Sequence, residues 1–284
     1  MPTPKLRFDH VHKDFTVRDD TRGRGARTLF TALDDFTLDV PAGELLTVVG
    51  PSGCGKSTLL DLLAGLTQPS SGAILLDGQP LTGPGLDRGV VFQQYALLPW
   101  RTARANVELG LEAKGLSRAR RAEISARYLD LVGLSGFEQR YPHELSGGMK
   151  QRVAIARALA FEPEVLLMDE PFAALDAQTR ETLQDELLRI WRATGTTIVF
   201  ITHGIDEALY LGQRVAVMSP RPGRLRTVID VDLDRSRSDD IRSDPEFGRL
   251  RHRVWTELHS PAGTPDEAET DLLPLHATLE PARA

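Results

Sequence analysis

The 284-residue sequence has a single cysteine, Cys54, and no apolar stretch near the roughly 20 residues that a membrane-crossing helix needs. A lone thiol excludes an intrachain disulfide and suits a reducing compartment. Residues 1–8 carry no apolar signal segment, so the chain is expected to stay in the cytoplasm. If it works at a membrane, another protein holds it there. Positive charge is not in excess. With 34 basic and 40 acidic residues the net charge is −6, which argues against a general nucleic-acid binder. An N-K-x-D guanine motif, an internal repeat and a long coiled coil are all missing. Apolar content of 41% and charged content of 26% are ordinary for a soluble globular protein with a substantial core.

What is present starts with Gly50-Pro51-Ser52-Gly53-Cys54-Gly55-Lys56-Ser57-Thr58, which fits G-x-x-x-x-G-K-[ST]. The apolar, β-branched run 45–49 before it reads as a buried strand, and residues 58–64 after it read as a helix ending at Gly65. A glycine-rich turn there lets backbone N–H groups converge on a polyphosphate, and the helix N-terminus adds partial positive charge. Lys56 is placed to reach the β- and γ-phosphates and the Ser57 hydroxyl to hold Mg²⁺. Cys54, inside the loop, reads as a small residue filling a tight turn rather than a redox thiol.

A phosphate loop needs a carboxylate near Mg²⁺. The strand-like run 165–168 ends in Asp169-Glu170. Asp169 suits the Mg²⁺ shell, and Glu170 suits orienting or deprotonating an attacking water. A second anion-binding helix start lies at Leu145-Ser146-Gly147-Gly148, with Ser146 as N-cap and glycines exposing N–H groups.

Between these motifs, residues 5–17, 33–40, 72–78, 90–92, 197–201 and 214–218 read as strands, and 18–27 as a flexible Arg/Asp/Gly loop. From 102 to about 160 the periods are helical, with one helix over 102–113 and another over 117–132. Residues 178–193 carry an amphipathic stripe, a short helix starts at Ile205, and 244–259 suit a last helix. Residues 260–284 read as a disordered tail.

In order and spacing these motifs resemble the ATP-binding subunits of ABC transporters, over residues 6–226. The resemblance implies a P-loop NTPase α/β fold with a mixed β-sheet core. It adds an N-terminal antiparallel β region and an inserted α-helical subdomain at about 95–160, within an ATP-binding domain spanning 1–259. It implies ATP and Mg²⁺ as cofactors and ATP hydrolysis coupled to transport. It matches the Q-loop glutamine to Gln93, the signature to residues 145–151 (Leu145, Ser146, Gly147, Gly148 and Gln151), the D-loop aspartate to Asp176 and the switch histidine to His203. By the same resemblance two chains pair head to tail, so that ATP lies between one phosphate loop and the signature of the other. Asp176 then contacts the partner's phosphate loop, and Gln93 senses Mg²⁺ together with Ser57 and Asp169. An adenine platform is expected at Phe15, with Phe30 as competitor.

Residues 85–93, 97–101, 219–224 and 243–247 resemble the importer ATPases for taurine, aliphatic sulfonates and nitrate, the taurine branch most closely. Expected partners are therefore a second copy, two integral-membrane permease subunits and a substrate-binding protein, at the cytoplasmic face of the membrane. Leu97, Leu98 and Trp100 either line a groove for the permease or belong to the core. Sulfonates, nitrate and a pyrimidine precursor remain as cargoes, and a soluble ABC ATPase without a permease is the reading from another class. Gly204 after His203, where the family often has aspartate, is a departure that would loosen the histidine's loop.

Overall fold

The computed structural model describes residues 3–18, 27–233 and 241–260. The interior of the loop expected at 18–27, and the tail beyond Ser260, lie outside the described residues. In chain order the strands are β1 (Leu6–Arg18), β2 (Arg27–Val40), β3 (Leu45–Val49), β4 (Ser71–Leu76), β5 (Gln79–Pro80), β6 (Arg88–Val91), β7 (Val165–Asp169), β8 (Thr197–Ile201), β9 (Arg214–Met218) and β10 (Leu225–Asp230). The helices are α1 (Lys56–Leu63), α2 (Ala103–Val107), α3 (Leu109–Ala113), α4 (Arg118–Leu131), α5 (Gly147–Ala160), α6 (Ala177–Thr194), α7 (Ile205–Leu211) and α8 (Pro245–His259).

One sheet is antiparallel, in the order β2-β1-β4-β5. The other runs β10-β9-β3-β8-β7-β6, parallel except for the antiparallel edge strand β10. This is the P-loop ATPase architecture the motifs imply. The central strands are continuous apolar runs because both faces are covered. On β7, Val165 and Leu167 face the core around α1 and the antiparallel sheet, while Leu166 and Met168 face the helical side. On β8, Val199 and Ile201 alternate in the same way with Ile198 and Phe200. A third cluster packs α7 and α8 on β9 and β10 through Val215, Val217, Ile229, Phe247, Leu250 and Val254.

The elements depart from expectation in three places. The helix expected over 102–113 is two short helices meeting at Glu108. Gly110 weakens the stretch as a single helix, and its missing side chain admits the Phe161 ring, whose Cδ1 would lie 2.3 Å from an added Cβ. The buried Asn106 amide donates to the carbonyls of Leu98, Arg101 and Thr102, tying the first turn to the loop before it. Strand β2 begins at Arg27 rather than Leu33, and β10 adds an edge strand not expected from the sequence. Pairing with β1 and β9 supplies the backbone partners that these polar segments lack on their own.

Candidate functional site

Each element of the site follows the carboxyl end of a parallel strand: Gly50 after β3, His203 after β8, Asp169 and Glu170 at the end of β7, Gln93 after β6. The sheet order β3-β8-β7-β6 therefore sets these groups side by side along one edge. Open α/β sheets place their ligand crevices on this edge.

The loop 50–55 is shaped by contacts that only glycine satisfies. Gly55, the N-cap of α1, has φ 103, and an added Cβ would sit 2.8 Å from the carbonyl oxygen of Ala32. At Gly50 an added Cβ would meet the Cys54 sulfur at 2.6 Å. Cys54 is buried, and burial pushes its thiol up, which suits packing rather than nucleophilic chemistry. Lys56 is also buried and its ammonium donates to the carbonyls of Gly50 at 2.7 Å and Pro51 at 3.2 Å. Its charge is thus held over the concave side of the loop, while Ser52, Gly53 and Ser57 are exposed and Pro51 and Thr58 half-buried.

β7 and β8 pair in parallel with Asp169 opposite Ile201. That register brings Glu170 and His203 together, with His203 Nδ1 3.0 Å from Glu170 Oε2. The Glu170 N–H donates to the Ile201 carbonyl at 2.9 Å, and the residue sits at φ 43, a left-handed conformation unusual for a non-glycine residue. With Nδ1–H directed at the carboxylate, His203 Nε2 is an acceptor in the neutral ring and a donor in the imidazolium.

Burial holds the Asp169 carboxyl above its ordinary range, the negative charges of Glu170 and Asp61 add to this, and Lys56 opposes it. Burial also raises Asp61. A crowded, partly desolvated carboxylate is a hard-oxygen donor whose charge a divalent cation relieves. Among the described residues no group of three or more His, Cys, Asp or Glu forms a self-sufficient metal cage. Mg²⁺ fits such a place, since it keeps waters and phosphate oxygens and takes one or two protein ligands.

The signature residues lie elsewhere. Ser146 caps α5, accepting from the Met149 N–H at 3.3 Å. Ser146 and Gly148 line a groove of about 440 Å³ with Phe137, Arg152 and Thr179, and no phosphate-loop residue reaches it. Leu145 is buried and Gly147 half-buried. Gln151 differs from the expectation of a group acting on a partner. It is fully buried, and its amide nitrogen and oxygen have no hydrogen-bond partner among the described residues. Five residues past Ser146, about one and a half helical turns, it faces the protomer's own core. Asp176 caps α6 through Thr179 N–H at 2.9 Å, which holds its carboxyl below the usual range, and it stays exposed.

Phe15 and Phe30 are opposite each other in the β1–β2 register and so share one face. The Arg221 guanidinium covers the Phe30 ring at 4.4 Å, whereas Phe15 is 37% exposed with the Lys13 ammonium 5.0 Å from its centroid. Leu97 packs on the helical core, while Trp100 is 71% exposed.

Loop 219–224 also touches the phosphate loop, a contact that no local sequence signal announces. Arg221 Nε donates to the Gly53 carbonyl at 3.3 Å. An added Cβ at Gly223 would lie 1.9 Å from the Cys54 carbonyl oxygen. The Pro222-Gly223 pair signals only a turn; what the turn touches is long-range information.

The family profile described as ABC transporter matches residues 33–173. A putative ATP-binding protein of Brucella abortus is 59% identical over 230 residues, covering 81% of this chain and 88% of its own. The chain belongs to the ATP-binding proteins of ABC transporters. The nitrate import ATP-binding protein NrtD of Synechocystis sp. is 50% identical over 240 residues, covering 82% of this chain and 90% of its own. The taurine import ATP-binding protein TauB of Roseobacter denitrificans is 49% identical over 228 residues, covering 78% and 85%. Among solved structures, the dimeric ATP-binding cassette MJ0796 in a post-hydrolysis state with ADP and Pi superposes with a TM-score of 0.68 at 32% identity, covering 80% of this chain and 98% of that one. As an ABC ATPase the chain binds ATP and couples its hydrolysis to transport. Among the described residues no helix is long and apolar enough to cross a membrane.

Proposed function

We propose that this protein is the ATP-hydrolysing subunit of an importer, working as a head-to-tail homodimer on two permease subunits at the cytoplasmic face of the membrane. A substrate-binding protein delivers a small sulfonate, taurine first. The observation that carries the dimer reading is that the groove at Ser146 and Gly148 contains no phosphate-loop residue. A second copy is then needed to bring the two anion-binding helix starts onto one nucleotide.

In this reading the free backbone N–H groups between Ser52 and Thr58 and the Lys56 ammonium cradle the phosphates, and the open ring of Phe15 takes the adenine. Ser57, Asp169 and Gln93 would hold Mg²⁺, which when bound neutralises charge on the β- and γ-phosphates. Glu170 orients the attacking water and accepts its proton. His203 keeps the Glu170 carboxylate in place through Nδ1 and presents Nε2 to the γ-phosphate. Ser146, Gly147 and Gly148 of the second copy close the site, and Asp176 meets the opposite phosphate loop. Gln151 is left out because its amide is buried in its own protomer. Trp100 and its neighbours face the permease.

Mixing two inactive variants tests the composite site. Ser146→Arg and Lys56→Ala should each abolish hydrolysis alone, while their mixture should regain part of it through one intact site. Full hydrolysis by Ser146→Arg alone would refute the dimer reading. For the cargo, nitrate is the second reading, supported by the similarity to NrtD. Deletion should stop growth on taurine as sole sulfur source; loss of growth on nitrate instead would transfer the assignment.

A further inference from the structure

The loop between β8 and α7 carries His203, and Gly204 after it offers no side chain to cap α7. The loop is nonetheless held, from behind. The Gly204 N–H donates to Thr202 Oγ1 at 3.0 Å. The Thr202 hydroxyl donates in turn to Glu207 Oε2. The other oxygen, Glu207 Oε1, accepts from the Gln184 amide of α6 at 2.9 Å. The Gln184 oxygen accepts from Arg242 Nη2 at 2.8 Å, in the turn before α8. Each donor meets an acceptor, so the direction of the chain is unambiguous. Because Arg242 can only donate, the Gln184 amide must turn its N–H₂ toward Glu207.

Thr202 and Gln184 are 1% and 2% exposed, so a broken link there leaves a buried polar group unpaired. Arg242 is itself seated, its guanidinium 4.1 Å over the Tyr210 ring. The Tyr210 hydroxyl donates to Asp185, and burial with that carboxylate pushes it up to about 12, so it stays a donor at neutral pH. The chain thus runs from the C-terminal segment across α6 to the residues on both sides of His203.

We propose that Glu207, Gln184 and Arg242 are positioning residues for the known hydrolysis: through Thr202 and Gly204 they fix the His203 loop and so the His203–Glu170 contact. This rests on the proposed role of His203, and the test separates the two. Gln184→Leu should lower kcat roughly tenfold, short of the hundredfold that a full ångström of misplacement costs, with KM for ATP within about twofold. In a His203→Ala background the same change should add nothing, since residues acting as a unit are non-additive. Equal losses in both backgrounds, the pattern of a merely structural role, would overturn the relay. Hydrogen exchange at the amides of 202–204 gives a second readout in the full chain. Arg242→Ala, which removes the exposed end of the chain and with it the donor to Gln184 Oε1, should speed it, and unchanged exchange would overturn the relay. If His203→Ala hydrolyses ATP normally, the role of His203 falls. The positioning role falls with it, and the exchange result then decides only whether the chain holds the loop, faster exchange showing that it does and unchanged exchange that it does not.

Discussion

Glu170→Gln isolates the chemistry from the scaffold. Glutamine is isosteric, and its side-chain oxygen can still accept from His203 Nδ1, now 3.0 Å from the carboxylate. The backbone anchor is untouched, because the residue's N–H bonds the Ile201 carbonyl at 2.9 Å whatever the side chain. Folding stability should therefore stay within about 0.5 kcal/mol of wild type, the range for changes that open no cavity and break no network. What is lost is a carboxylate able to take a proton from water. A positioned general base is worth about 10²–10⁴ in rate, or roughly 3 to 5 kcal/mol of barrier. Phosphate release should fall by that factor, while ATP binding persists and ATP-loaded dimer accumulates on size exclusion. A fall of less than about tenfold, with stability unchanged, would refute the assignment of Glu170 as base. The φ of 43 adds an internal control. Glu170→Gly should be roughly 1 kcal/mol more stable than Glu170→Ala, since alanine keeps the left-handed cost that glycine escapes.

Further outcomes follow from the same geometry. Gly55→Ala combines φ 103 with a Cβ 2.8 Å from a backbone oxygen, and should cost roughly 2 to 4 kcal/mol in denaturant unfolding. Asp169→Asn should abolish hydrolysis yet raise the stability of the nucleotide-free protein. Because burial raises the folded-state Asp169 above its ordinary 3.8, this carboxylate weakens folding progressively as pH rises past that ordinary value. The variant's advantage in Tm should thus be present at pH 7 and vanish below the ordinary value; an advantage that grows on acidification would contradict it. Trp100→Ala should leave soluble ATPase activity and Tm unchanged, because the ring is exposed, but weaken coupling to a permease in membranes.

Much of this protein is legible in its sequence. The phosphate loop, the acidic pair after a buried strand and the Ser-Gly-Gly helix start announce themselves because each is local chemistry: a strand's apolar run, a glycine turn, a helix cap. Local periodicity likewise located the central strands and α4, α6 and α8, with ends near those observed. It failed where partners decide. Polar β10 is a strand because β9 offers it an edge, and the 102–113 helix divides at Glu108, just before Phe161 packs on Gly110. The side chains of Gln151 and Ser146 leave the same helix in different directions, one to the core and one to a groove, which the motif string cannot express.

The sequence alone determined where the phosphate loop, the acidic pair at the end of β7 and the Ser-Gly-Gly helix start lie, and which family the motifs resemble, since these depend on residue type and short spacing. Tertiary structure alone decided their juxtaposition. The parallel register of β7 and β8 pairs Glu170 with His203 across 33 residues of sequence separation. The sheet order aligns four strand ends along one edge. Side-chain hydrogen bonds from α6, α7 and the segment before α8 hold the histidine loop, although Gly204 lacks a capping side chain. These are relations between distant segments, set by packing and strand pairing, which no local pattern encodes.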